Sequence, residues 1–109
     1  MKIRIVIFSP TKEWSVMADE KTGEFRIGFK RIEKGLNDFV RDSINIVKEW
    51  PDELEDLSVL DGTKYRIAYD DGNTCRQLIG VNKLPDNFYK LRELIESYEN
   101  QFNRMDNQL

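Results

Sequence analysis

Cys75 is the single cysteine of the chain, and Arg76 follows it. A guanidinium close to a thiol favours the thiolate, which is the nucleophilic form. Catalysis by such a thiolate also needs a base, and histidine is the usual one. The chain contains no histidine. Ser-His-Asp and Cys-His catalysis are therefore excluded. The imidazole ligands on which most zinc and non-haem iron sites rely are missing too. With one cysteine, a structural zinc site is excluded as well. Cys75 without a base is expected to serve packing.

Oxygen-based chemistry has more candidates. Asp52, Glu53, Glu55 and Asp56 are dense enough to hold a hard cation such as Ca²⁺ or Mg²⁺. They lack the EF-hand spacing and its glycine, so an acidic solvated loop is expected. Asp70-Asp71 precedes Gly72 and reads as a turn. Gly80-Val81-Asn82 has no G-x-G-x-x-G or P-loop continuation and reads as a strand-to-helix turn. No catalytic, cofactor-binding or metal-binding residue is assigned, and no cofactor is expected. Acid–base work without histidine is still open to Asp, Glu or Tyr in a suitable cleft.

Arg26, Lys30, Arg31 and Lys34 cluster near Phe25 and Phe29, faintly like a nucleic-acid-binding sheet. The aromatic and basic residues alternate, so on a strand they point to opposite faces. Stacking and phosphate contact need one face. The formal net charge is −3, from 17 basic and 20 acidic residues, which gives no electrostatic reason to expect nucleic acid. Trp14 and Trp50 are the residue type most enriched at interface hot spots. Trp50 continues a helical stripe and is assigned to the core; for Trp14, core and surface are left open.

These residues are positioned by a simple series of elements. Ile3, Ile5 and Ile7 alternate in a strand over Lys2–Phe8, ended by Ser9-Pro10. Trp14, Val16 and Ala18 mark a second strand. Phe25, Ile27 and Phe29 mark a third, with Arg26, Gly28 and Lys30 on its other side. Ile32, Leu36, Phe39, Val40, Ile44, Val47 and Trp50 keep the helical period, so a helix is expected over 32–50, most securely from Leu36, ending before Pro51. An acidic connector over 51–56 and a short strand over 57–60 follow. Tyr65, Ile67 and Tyr69 form a strand that turns at Asp71-Gly72 and returns to about Ile79. A two-residue turn pairs Tyr69 with Thr74; a three-residue loop pairs Tyr69 with Cys75. Turn chemistry favours the first and the apolar face the second, and the longer loop with a bulge is preferred here. Phe88, Leu91, Leu94, Ile95, Tyr98 and Phe102 then form the apolar stripe of a final helix behind Pro85.

The run Asp61-Gly-Thr-Lys-Tyr-Arg-Ile-Ala-Tyr-Asp-Asp-Gly72, with Gly80-Val-Asn82 and Pro85-Asp-Asn-Phe88 before the last helix, resembles a block in small uncharacterised bacterial proteins. The likeness covers about a third of the chain and consists mostly of turn and cap chemistry. The resemblance implies a bacterial source only, and no activity is carried over from it. The N-terminal half carries no resemblance.

The expected fold is a single α+β domain of 109 residues, with 103–109 as a frayed tail. It is a two-layer sandwich: an antiparallel sheet of five or six strands with two helices on one face, in the order β-ββ-α-(β)-ββ-α. The Phe25-Ile27-Phe29 face is expected to be the covered one. Charged residues at 34% and hydrophobic ones at 39% argue against wholesale disorder. Arg4 interrupts any N-terminal signal region, and no apolar run approaches the ~20 residues of a membrane span. A cytoplasmic protein is expected, without nucleic-acid or membrane partners. Its first functional reading is a non-catalytic protein–protein interaction module. The partner is another protein or a second copy, docked on an exposed sheet face or strand edge that includes Trp14, Arg26, Lys30, Lys64 and Arg66. The alternative is a small ligand binder or histidine-free enzyme using Tyr65, Tyr69, carboxylates and arginines in a cleft beside the C-terminal hairpin.

Overall fold

Three isoleucines at alternate positions set the centre of the molecule. Ile3, Ile5 and Ile7 leave β1 (Lys2–Phe8) on one side and are wholly buried. In the computed structural model, which describes residues 1–56, 58 and 62–107 and side chains up to Asn100, β1 is the middle strand of one mixed sheet. The further elements in chain order are β2 (Glu13–Asp19), β3 (Glu24–Ile27), β4 (Lys30–Arg31), α1 (Leu36–Val47), β5 (Glu53–Glu55), β6 (Lys64–Asp70), β7 (Cys75–Val81) and α2 (Phe88–Asn107).

The described strands number seven, in the order β4-β3-β2-β1-β6-β7-β5. Neighbours are antiparallel except β5 and β7, which run parallel. The α+β class and the two helices are as expected. The strand count is higher for two local reasons. First, Gly28 takes a positive φ of 63° and turns the chain, so the expected strand through Phe29 breaks into β3 and β4. Phe29 at the turn is fully exposed, whereas Phe25 and Ile27 are buried. Second, the acidic connector contains β5, joined to β7 by backbone bonds alone in sequence terms: Ile79 N–H donates to Asp52 O and Asp56 N–H to Val81 O. Of the short strand expected over 57–60, only Ser58, in a turn, lies within the described residues.

The β6–β7 loop corrects both expected registers. Tyr69 pairs with Arg76, Ile67 with Leu78 and Tyr65 with Gly80. The loop is 71–74, with four residues rather than two or three. The Asp71 carboxylate accepts the N–H groups of Asn73 at 2.8 Å and Thr74 at 2.7 Å, and Asp70 accepts Gly72 N–H at 2.8 Å. Those bonds satisfy the loop's donors internally and widen it. Relative to the two-residue turn the register moves by two, so Arg76 and Leu78 stay on the face of the tyrosines.

Both helices lie on the face of Ile3, Ile5 and Ile7. Two aromatic clusters seat them, one on either side of β1. Phe25, Phe39 and Tyr98 meet with ring centroids 4.9–5.4 Å apart, joining β3, α1 and α2. Trp50, Tyr65 and Phe88 meet at 5.5–6.0 Å, joining the end of α1, β6 and α2. Trp50 also donates its indole N–H to Asn87 Oδ1 at 2.7 Å. α1 starts at Leu36 rather than Ile32 because Gly35 adopts a left-handed φ of 89° beneath the Tyr98 ring. It ends at Val47, before Trp50, and the carbonyls of its C-cap Lys48 and of Trp50 just beyond are taken up by a side chain from the sheet.

That side chain is Arg76. From the covered side of β7 its guanidinium donates to Lys48 O and Trp50 O, each at 2.8 Å, to Tyr69 Oη at 3.2 Å and to Asp52 Oδ1 at 2.6 Å. A cation at the carboxyl end of a helix also meets the negative end of its dipole. Asp52 is 72% exposed while Arg76 is 25% exposed, so solvent screens the ion pair and the carbonyl bonds carry more of the interaction.

Two measurements test this packing. Arg76→Met keeps the aliphatic stem and removes the donors; urea unfolding is expected to show a loss of about 1.5–3 kcal/mol. Asp52→Asn is expected to cost under about 1 kcal/mol. Equal losses would assign the holding to the ion pair instead. Gly80 lies directly under Tyr65, and a Cβ there would stand 1.9 Å from the ring. Gly80→Ala is expected to lower stability by about 1–3 kcal/mol through displacement of that ring; an unchanged urea midpoint would refute the contact.

Candidate functional site

Side chains alternate along a strand, so half of every strand points away from the helices. On this uncovered face the strand registers line residues up in rows. Arg31, Arg26, Met17, Arg4, Ala68 and Gln77 stand side by side across six strands. The next row holds Ser15, Val6, Arg66 and Ile79. Val6, Met17, Ala68 and Ile79 are half-buried, and Arg4, Arg66 and Gln77 are exposed.

Ala68 creates the relief. Its methyl group is too short to fill the space between Arg4 and Gln77. A hollow of about 440 Å³ results, bordered by Arg4, Val6, Arg66, Ala68 and Gln77. A second, of about 450 Å³, shares Arg4, Ala68 and Gln77 and extends past Met17 to Asp19, Asp70 and Cys75. Arg4 lies opposite Ala68, and Arg66 opposite Val6, so the two arginines are diagonal neighbours on adjacent strands. That geometry separates them by about 7–8 Å. Neither forms an ion pair among the described residues, and neither does Arg92 on α2, whereas Arg26, Arg31, Arg41 and Arg76 each have a carboxylate within 4.0 Å.

The expected surface residues divide between the faces. Arg26, Lys64 and Arg66 lie on the uncovered face. Lys30 pairs with Ile27 and so takes the helix side; Arg31 holds the place beside Arg26. Trp14 is in the core, only 6% exposed, packed under the helices with Lys12 Nζ 4.6 Å from its ring centroid. It is therefore not part of the surface: in β2 it shares the side of Val16 and Ala18. Arg4 and Met17 were missed, although their positions between Ile3 and Ile5 and between Val16 and Ala18 carried the signal.

The other candidates have structural partners. Tyr65 and Tyr69 are buried on the covered face, and burial pushes the Tyr65 hydroxyl's pKa up. The Tyr65 hydroxyl is enclosed without a hydrogen-bond partner among the described residues, and the Tyr69 hydroxyl accepts from Arg76. Gly80 is buried beneath Tyr65, whose ring occupies the space over its Cα. Asp52 pairs with Arg76, and Ser58 bonds the Asp56 carboxylate and holds its pKa below the usual range. Among the described residues no group of carboxylates or cysteine is arranged to hold a metal ion, and no helix is long and apolar enough to cross a membrane.

Cys75 is exposed at the rim of the second hollow. Arg76 points to the other face and does not activate it. The neighbouring Asp70 carboxylate dominates and pushes the thiol's pKa up. The thiolate fraction near neutral pH is therefore smaller than in a free cysteine. The pH–rate profile of iodoacetamide alkylation is expected to have its midpoint above that of free cysteine, and Asp70→Asn is expected to bring it down. A midpoint below that of free cysteine would contradict this geometry.

Comparison with family models, curated proteins and solved structures found no match.

Proposed function

We propose that this chain is a non-catalytic protein–protein interaction module that docks its partner on the uncovered face of the sheet. One observation carries the reading: Arg4 and Arg66 stand among half-buried Val6, Met17 and Ala68 without an ion pair among the described residues, in the middle of a face that neither helix covers. Apolar side chains ringed by unneutralised arginines match the composition of interface cores better than that of an idle surface.

The face suits docking better than the edges do. β4 at one edge has two residues, and β5 at the other has three, including Glu53 and Glu55. Short, charged edge strands discourage the addition of another strand. The four long strands β2, β1, β6 and β7 each have seven residues. At about 4.8 Å between strands and 3.3 Å per residue they present roughly 19 by 23 Å, which fits a small, transient interface better than an obligate one. The exposed free thiol of Cys75 supports a reducing, cytoplasmic setting. The likeness of the C-terminal block to small bacterial proteins supports a bacterial one.

Site-specific photo-crosslinking tests the reading. A benzoylphenylalanine at position 17 is expected to capture one discrete protein in cells, and the same probe at position 41, on α1, is expected not to. Identical patterns from the two positions, or no product from position 17, would overturn it.

A further inference from the structure

The two unpaired arginines say something about what the face receives. We propose that the hollow floored by Ala68 seats an extended acidic segment of a partner protein, with carboxylates at alternate positions taken by Arg4 and Arg66. The proposal rests on the docking reading above and gives it a chemistry.

Charge comes first. Arg4 and Arg66 are diagonal neighbours of like sign with no carboxylate at ion-pair distance among the described residues. An apolar cover would bury two uncompensated guanidiniums, which is strongly unfavourable. The occupant must therefore bring negative charge to this spot. A second copy centred on the same strand does not supply it. Packed face to face about a two-fold axis along β1, it would set Arg4 against Arg4.

Spacing comes next. The arginines are about 7–8 Å apart. In an extended chain, residues i and i+2 point the same way and lie about 6.6 Å apart. An acid-x-acid segment thus offers one carboxylate to each guanidinium, and each pair can be bidentate. The residue between them points away from the sheet. Gln77, across Ala68 from Arg4, offers an amide to the segment's backbone.

Polarity comes last. The second hollow ends at the row Asp19, Lys2 and Asp70, in which two carboxylates flank one ammonium and the net charge is negative. A short acidic segment can stop before that boundary. A nucleic-acid strand carries a charge at every residue and would run its phosphates into those carboxylates. The aromatic residue nearest the rows is Phe8, at the end of β1, so the floor of the hollow offers no stacking platform.

The test uses the full chain, labelled with ¹⁵N, and a fluorescent Glu-Val-Glu-Val-Glu peptide at low salt. Amide shifts are expected at Arg4, Met17, Arg66, Ala68 and Gln77. Arg4→Gln and Arg66→Gln are each expected to weaken binding about tenfold. Arg41→Gln, on the helix side, is expected to leave it unchanged. A Lys-Val-Lys-Val-Lys peptide and an oligothymidylate are expected to bind more weakly than the acidic peptide. Equal binding by the glutamine variants, shifts confined to other surfaces, or tighter binding of the oligothymidylate would overturn the proposal. If position 17 still crosslinks a protein while the acidic peptide fails, the acidic occupant is wrong and the docking face stands. If both fail, the face itself is wrong.

Discussion

The contacts of Arg76 tie three parts of the chain to one another. Its guanidinium bonds the carbonyl of Lys48, the C-cap of α1, that of Trp50 just beyond it, the hydroxyl of Tyr69 and the carboxylate of Asp52. Buried or half-buried carbonyls at a helix end need donors, and here they come from the sheet. A one-residue slip of β7 would carry Arg76 to the far face and leave those carbonyls without it. The register of the hairpin, the end of α1 and the start of β5 are therefore one constraint. Cys75 and Gln77 owe their place on the uncovered face to the same register.

With α1 and α2 held on one side, the sheet has two unlike surfaces. One is a core of isoleucines and aromatic rings; the other mixes arginines with small apolar side chains. The asymmetry is built into alternation within single strands. In β1, Ile3, Ile5 and Ile7 face the helices while Arg4 and Val6 face out. In β6, Tyr65, Ile67 and Tyr69 face in while Arg66 and Ala68 face out. The residues that make the core and those that make the candidate site are thus interleaved in sequence. Any mutation that shifted a strand by one residue would destroy both.

Much of this was legible in the sequence. The alternation in β1, β2 and β6 and the 3.6-residue stripes of both helices are strong periodic signals, and they gave the class, the helix placement and the covered face. What stayed hidden depends on contacts between distant residues or on backbone alone. β5 is acidic and has no apolar period, since its bonds to β7 are made by backbone groups. The β6–β7 loop was lengthened by the Asp71 carboxylate, a local bond that outweighed the Asp-Gly turn preference. Phe29 read as core because the period ran through it, but Gly28 turns the chain first. For the site, Arg66 was visible as a basic residue on a sheet face. Arg4 was not, because its meaning lies in its diagonal neighbour on a strand far along the chain. Arg76 was seen only as a neighbour of Cys75, whereas its partners Lys48, Trp50 and Asp52 are more than 20 residues away.

The seam between β1 and β6 also shapes how the molecule forms. It pairs residues separated by 68 positions at Lys2–Asp70 and by 56 at Phe8–Lys64. The β1–β2–β3 meander can close locally, but its central strand must wait for the second half of the chain to leave the ribosome. Until then β1, among the longest strands of the final sheet, is an open edge whose three isoleucines have no helix above them except α1. The folded sheet keeps only two- and three-residue strands at its described borders, while the nascent chain exposes the seven-residue edge of β1 until β6 has been made.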